Sequence, residues 1–187
     1  MTDINKNLDY LKKRIQESDF LEGRGLSNEV NIQFFCYDAK EEMAVRHFVK
    51  KLKTETLACN VICYDLYEQF LEICESKNIL DRIPQLEEKK GTDSLISQLD
   101  RICNAKMFAQ KMQYQPHQRG DVILLTGVGK VFPFARVHHL LDAMQPLFTD
   151  VPIVVLYPGK FDGHQVKLFN KLKANEYYRA FNIIKGE

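Results

Sequence analysis

The chain has 187 residues, 45% of them apolar and 27% charged, which fits a water-facing, core-forming α/β protein and excludes a disordered or low-complexity chain. Its 26 basic and 25 acidic side chains balance, so a globally basic nucleic-acid binder is excluded as the default class. No apolar run approaches the roughly 18–20 residues of a membrane-spanning helix, and the polar start lacks the apolar stretch of a secretory signal. The five cysteines are odd in number and irregular in spacing. They read as reduced, packed thiols of a cytoplasmic protein, and the Cys59/Cys63 spacing lacks the pairing of a zinc knuckle.

The first segment, residues 3–20, sets Ile4, Leu8, Leu11 and Ile15 on one helical stripe, and the glycines at 23 and 25 stop it. Residues 31–38 form a short apolar strand. Asp38 and Glu41 then have capping-box spacing before a helix whose apolar face is Val45, Phe48, Val49 and Leu52. The same order recurs at residues 60–65, where Asp65 and Glu68 start a helix carrying Leu66, Phe70 and Ile73. Strand, helix and strand at this spacing predict a parallel pair joined by a right-handed crossover.

Residues 76–118 interrupt the alternation with a helical insertion, predicted as a lid or flank, whose main helix carries Leu95, Leu99 and Ile102 and runs to about residue 113. Residues 121–126 are a continuous apolar run, the pattern of a central strand covered on both faces. The turn Gly127-Val128-Gly129-Lys130 follows, and Pro133 opens a helix with Val137, Leu140, Leu141 and Met144 inward. A fourth strand spans residues 151–157 and ends at Pro158-Gly159. Asp162 and Gln165 predict a further helix with Val166, Phe169 and Leu172, and residues 177–184 a last strand.

The whole is an α/β fold: an open, mostly parallel five-stranded sheet with helices on both faces, Rossmann-like or P-loop-like in topology but without a functional phosphate loop. It reads as one domain over 1–187, with an N-terminal helix in 1–25 and the insertion at 76–118. In such sheets ligands meet the loops after the strands' C-terminal ends.

Those loops supply the candidate site. The Gly127–Lys130 turn invites a phosphate-loop reading, yet residue 131 is Val where a hydroxyl would hold magnesium, and Leu124 stands where the leading glycine belongs. The position of a third dinucleotide-fingerprint glycine is Phe132. Gly127, Gly129 and Lys130 are therefore read as a strand-to-helix turn with at most weak anion contact. Arg136, His138 and His139 lie on the polar flanks of the following helix. The adjacent histidines project about 100° apart, which disfavours a shared metal. Tyr157, Lys160 and His164 bracket the next loop, and Tyr177, Tyr178 and Arg179 have the aromatic-plus-arginine chemistry of an interface. No nucleophile–base–orienter set is visible, so no catalytic residue, metal or cofactor is assigned. The C-terminal half from residue 96 carries a net +5 against −4 before it, a modest basic bias.

Three ordered motifs then carry a resemblance. Residues 124–138 (LLTGVGKVFPFARVH), 152–163 (PIVVLYPGKFDG) and 175–181 (NEYYRAF) are similar to the signature of the BrxB family, and Phe34–Asp38 with Glu41-Glu42 also fits. The resemblance covers nearly the whole chain. It implies a component of BREX bacteriophage-exclusion systems, beside a methyltransferase, a large ATPase and an alkaline-phosphatase-like protein. It implies no catalytic residues. The expected partners are other BREX proteins, foremost the phosphatase-like one, with no membrane contact. The alternatives are a nucleic-acid-contacting subunit making weak DNA or RNA contact within the complex, or a degenerate nucleotide-binding protein.

Overall fold

A computed structural model describes residues 3–23, 31–161, 165–172, 175–176 and 181–184. Strands β1 (Ile32–Tyr37), β2 (Asn60–Asp65), β3 (Asp121–Thr126) and β4 (Ile153–Phe161) run parallel in the order β2-β3-β4-β1, and β7 (Phe181–Asn182) extends the sheet beside β1. The open, mostly parallel five-stranded α/β sheet expected from the alternation is thus present. β3 and β4, the continuous apolar runs, lie inside the sheet with their apolar residues buried up to Tyr157.

Strand alternation divides the interior into two cores. Ile123, Leu125, Ile153, Val155 and Phe34 face one side; Val122, Leu124, Val154, Leu156 and Phe35 face the other. The second side is covered by α1 (Ile4–Arg14) and α3 (Glu42–Leu52) through Leu8, Leu11, Ile15, Val45 and Leu52. The first is covered by α4 (Leu66–Ser76), α6 (Thr92–Ile102), α7 (Ala105–Met112) and α9 (Val137–Met144). Handedness explains the division. The β1-to-β2 connection crosses the sheet in one direction and the β2-to-β3-to-β4 connections step back, so right-handed crossovers put their helices on opposite faces.

The expected helical stripes hold at Leu66, Phe70 and Ile73 and at Val137, Leu140, Leu141 and Met144, all buried. Asp65 caps α4 by accepting from the Tyr67 and Glu68 N–H groups at 3.0 and 3.4 Å. Asp38 accepts from Lys40 N–H at 3.1 Å, opening a short 3₁₀ turn that leads into α3. The base of β3 is held by Asp121, which accepts at 2.8 Å from Asn60 Nδ2, the Tyr114 hydroxyl and the Gln118 N–H. All five cysteines are free thiols, and Cys74 and Cys103 are buried with sulfurs 3.6 Å apart.

Four expectations are corrected. The first helix ends at Arg14, and a separate short α2 (Ser18–Leu21) buries Phe20. The insertion holds α5 (Ile83–Lys90), and its main helix is two, because Asn104 caps α7 by accepting from Met107 N–H at 3.2 Å; α6 and α7 bury Leu95, Leu99, Phe108 and Met112 against the sheet, a flank and not a lid. Pro133 does not open a helix: α8 (Val128–Val131) precedes it, the Phe132–Pro133 peptide is cis, and α9 begins at Val137. The fourth strand does not end at residue 157, and among the described residues no helix follows it. β4 runs on through Phe161 and pairs antiparallel with β5 (Gln165–Leu168), which pairs with β6 (Asn175–Glu176). Gly159 permits this: a Cβ there would lie 2.1 Å from the Lys167 carbonyl oxygen. Of the expected last strand, residues 177–180 lie outside the described residues, as does Asp162.

Candidate functional site: a cleft at the strand C-termini

The C-terminal ends of β2, β3 and β4 and the flank of α3 enclose a cleft of about 220 Å³. Val45, Val49, Cys63 and Leu156 supply its apolar surface. Arg46, Lys50, Lys53 and Lys130 supply cations, and Glu42, Asp65 and Glu68 carboxylates. This is the position where an open parallel sheet receives ligands.

Much of the cleft's polarity is already paired. Gly127 follows β3 in the left-handed region at φ 74°, which turns the chain into α8 and aims Lys130 back across the strand ends. Lys130 Nζ forms an ion pair and hydrogen bond with Asp65 Oδ2, while Asp65 Oδ1 caps α4. A Cβ on Gly127 would stand 2.4 Å from Asp65 Oδ1, so the turn closes directly onto that carboxylate. Val131 is 1% exposed and belongs to the core. At the other end the Tyr37 hydroxyl donates to Glu42 Oε2 at 2.5 Å, and Arg46 Nε donates to Glu42 Oε1 at 2.8 Å. Burial, then the hydrogen bond to Glu42, pushes the Tyr37 phenol well up, so it stays a donor at neutral pH. Burial likewise pushes up the Cys63 thiol and leaves it protonated.

The remaining expected residues fall elsewhere. Leu156 faces the cleft and Tyr157, the next residue of β4, faces the opposite side, where it is 1% exposed and packs edge-on to Phe34 at 5.5 Å. Tyr157 is therefore a core residue, not part of a loop. It lines an apolar hollow of about 200 Å³ with Val128, Phe132, Arg136 and Leu168. Arg136 is exposed just before α9, with its guanidinium 5.9 Å from the Phe132 ring centre. The His138 and His139 rings touch at 4.1 Å between centres, closer than their helical separation suggests. His138 Nδ1 is buried and has no hydrogen-bond partner among the described residues. Burial, then His139 and Arg136, holds the His138 pKa below the ordinary histidine value, against a smaller opposing pull from Asp142. Among the described residues no group of three His, Cys, Asp or Glu side chains is placed to hold a metal. Gly129 is packed against Phe169 and Pro158, and Lys160 stands exposed on the β4 extension directly opposite Lys167. His164, Tyr177, Tyr178 and Arg179 lie outside the described residues.

The structure thus brings Gly127 and Lys130 into one cleft but sets Arg136, His138, His139 and Tyr157 on the opposite side. It also adds residues that sequence reasoning missed, namely Tyr37, Glu42, Arg46, Lys50 and Lys53. Their signal was present in the spacing 46, 50, 53, one face of the helix that follows the first strand.

Fold and cleft together define an open-sheet α/β protein whose phosphate-side turn is occupied by its own carboxylate. The family model described as BREX protein BrxB matches residues 62–183. The chain is 37% identical to the BREX protein BrxB of Bacillus cereus (strain H3081.97), over 98% of this chain and 99% of that protein. It is 29% identical to the BREX protein BrxB of Escherichia coli O9:H4 (strain HS), over 97% of this chain and 92% of that protein. The chain belongs to the BrxB family. No solved structure gives a significant match. Among the described residues, no helix is long and apolar enough to cross a membrane.

Proposed function

We propose that the chain is a non-catalytic assembly module of a BREX phage-defence complex, docking to its alkaline-phosphatase-like component. Family membership supports the system. The observation that carries the molecular role is the Asp65–Lys130 pair. In a phosphate-binding turn the lysine reaches the ligand and the next residue's hydroxyl reaches magnesium. Here the lysine is bound by a carboxylate that also caps a helix, and the next side chain is a core valine. A phosphate entering this turn would have to displace the Asp65 carboxylate from Lys130. Affinity purification of the tagged chain, co-expressed with its operon neighbours, tests the reading. The expected result is retention of the phosphatase-like protein. Loss of every BREX partner at micromolar concentration overturns it, as does magnesium-dependent ATP hydrolysis by the isolated chain.

A second reading, nucleic-acid contact within the complex, draws on a different observation. Lys160 and Lys167 are exposed and directly opposite across the β4–β5 ladder, with exposed Lys171 just beyond. Like charges in that register repel, and a phosphate backbone would relieve them. Duplex DNA binding that weakens with salt and is lost in the Lys160→Glu/Lys167→Glu double variant favours it; a flat titration at low salt removes it.

A further inference from the structure

The outer surface of α3 and its C-cap carry four side chains in helical register: Met43, Arg46, Lys50 and, at the cap, Lys53, spaced three, four and three residues apart, all exposed. Met43 is 72% exposed, an unusual place for a large apolar side chain. Arg46 is paired with Glu42. Among the described residues Lys50 and Lys53 have no carboxylate partner, and nearby Glu55 is already held by Lys12 and Lys51. Arg46 and Lys50 are an i,i+4 like-charge pair, and only Arg46 of the two is paired with a carboxylate. The last three members of the stripe form one rim of the cleft, whose inner surface is Val45, Val49 and Leu156.

We infer that α3 and this cleft form the docking site for an acidic peptide segment of the partner, with carboxylates over Lys50 and Lys53 and an apolar side chain seated against Val49 and Leu156. The inference rests on the assembly reading and names its surface. Charge complementarity favours an acidic polypeptide over nucleic acid. Glu42 and Asp65 are paired with Arg46 and Lys130, but Glu68 also lines the cleft and breaks the run of positive charge that a continuous phosphate backbone needs, whereas a peptide places carboxylates singly and offers apolar groups to the valine-lined wall and to Met43.

The test measures binding of the purified chain to the alkaline-phosphatase-like BREX component by calorimetry. Variants are Lys50→Glu/Lys53→Glu, Met43→Asp, and the hairpin control Lys160→Glu/Lys167→Glu. All sites are exposed, and unchanged melting temperatures check folding. At least a tenfold loss of affinity in the first variant, a smaller loss in the second, and none in the control is the expected pattern. If the wild type binds and Lys50→Glu/Lys53→Glu binds equally well, the docking site is wrong and the assembly reading stands. If the wild type does not bind, the assembly reading fails and this site with it. If the double variant instead loses affinity for a mixed-sequence DNA duplex while holding the protein, the surface is a nucleic-acid site and the inference is overturned.

Discussion

Gly127 is the residue on which the cleft turns, because two separate demands meet there. Its φ of 74° is costly for any residue with a side chain, and a Cβ would collide with Asp65 Oδ1. The Gly127→Ala variant therefore pays about 1–2 kcal/mol for the backbone alone, and relieving the contact pulls Asp65 from Lys130 and from the α4 cap. A lowered urea midpoint and a frayed α4 start in amide exchange are the expected results; an unchanged midpoint would contradict the closed turn. His138 makes a different prediction at the same scale. Its folded pKa lies below the ordinary value, chiefly through burial. The unfolded chain thus takes up its proton near pH 6.5 while the folded chain resists, so acidification favours unfolding. Stability should be fully present above about pH 6.5, fall as the pH drops through that value, and level off below the folded pKa. Melting curves from pH 8 to pH 5.5 should show a shallower acid slope in His138→Gln than in the wild type.

Elements were legible where local pattern and tertiary demand agreed. The apolar runs of β3 and β4, the Asp65 cap and the stripes of α4 and α9 each follow from neighbours within one turn or one strand. The failures occur where a distant partner decides. Val166, Phe169 and Leu172 have helical spacing, but the β4 extension offers residues 165–168 an open edge and Gly159 lets the backbones close, so the segment pairs as β5. The site was half visible for the same reason. Gly127 and Lys130 are adjacent in the chain, but the carboxylate that occupies them is 65 residues from Lys130, and no local pattern announces such a pair. The β4–β5 hairpin also carries a testable cost. Lys160 faces Lys167 in the ladder, and cross-strand charge pairs differ from neutral ones by about 0.2–1 kcal/mol. Replacing one with the opposite sign, in Lys167→Glu, should raise the urea midpoint at low salt, and the gain should shrink as salt screens the pair. A midpoint that falls at low salt would show that the two lysines are not opposed in solution.

At the scale of the whole molecule, two cores share one set of strands. Leu124 belongs to the core under α1 and α3, and Leu125 to the core under α4, α6, α7 and α9, yet they are consecutive residues of β3. Neither helical layer keeps a partner once the sheet opens, so both faces should unfold together. The native thiols provide a probe for each: Cys63 packs on the core under α1 and α3, and Cys74 and Cys103 lie in the core under α4, α6, α7 and α9. Burial pushes all three thiols above their ordinary pKa, and Cys103 to about 12, which keeps them unreactive while the fold is intact. Pulsed thiol labelling across a urea gradient, read by mass spectrometry, should give one midpoint for Cys63, Cys74 and Cys103. Leu124→Ala and Leu125→Ala each remove a buried side chain at a cost of about 2–5 kcal/mol. Because β3 binds the layers to each other, either substitution should move all three labelling midpoints by the same amount. If Leu124→Ala released Cys63 at lower urea while Cys74 and Cys103 stayed protected, the α1–α3 layer would be a separately opening unit, and the cleft on that face would be a part able to detach from the sheet rather than a rigid edge of it.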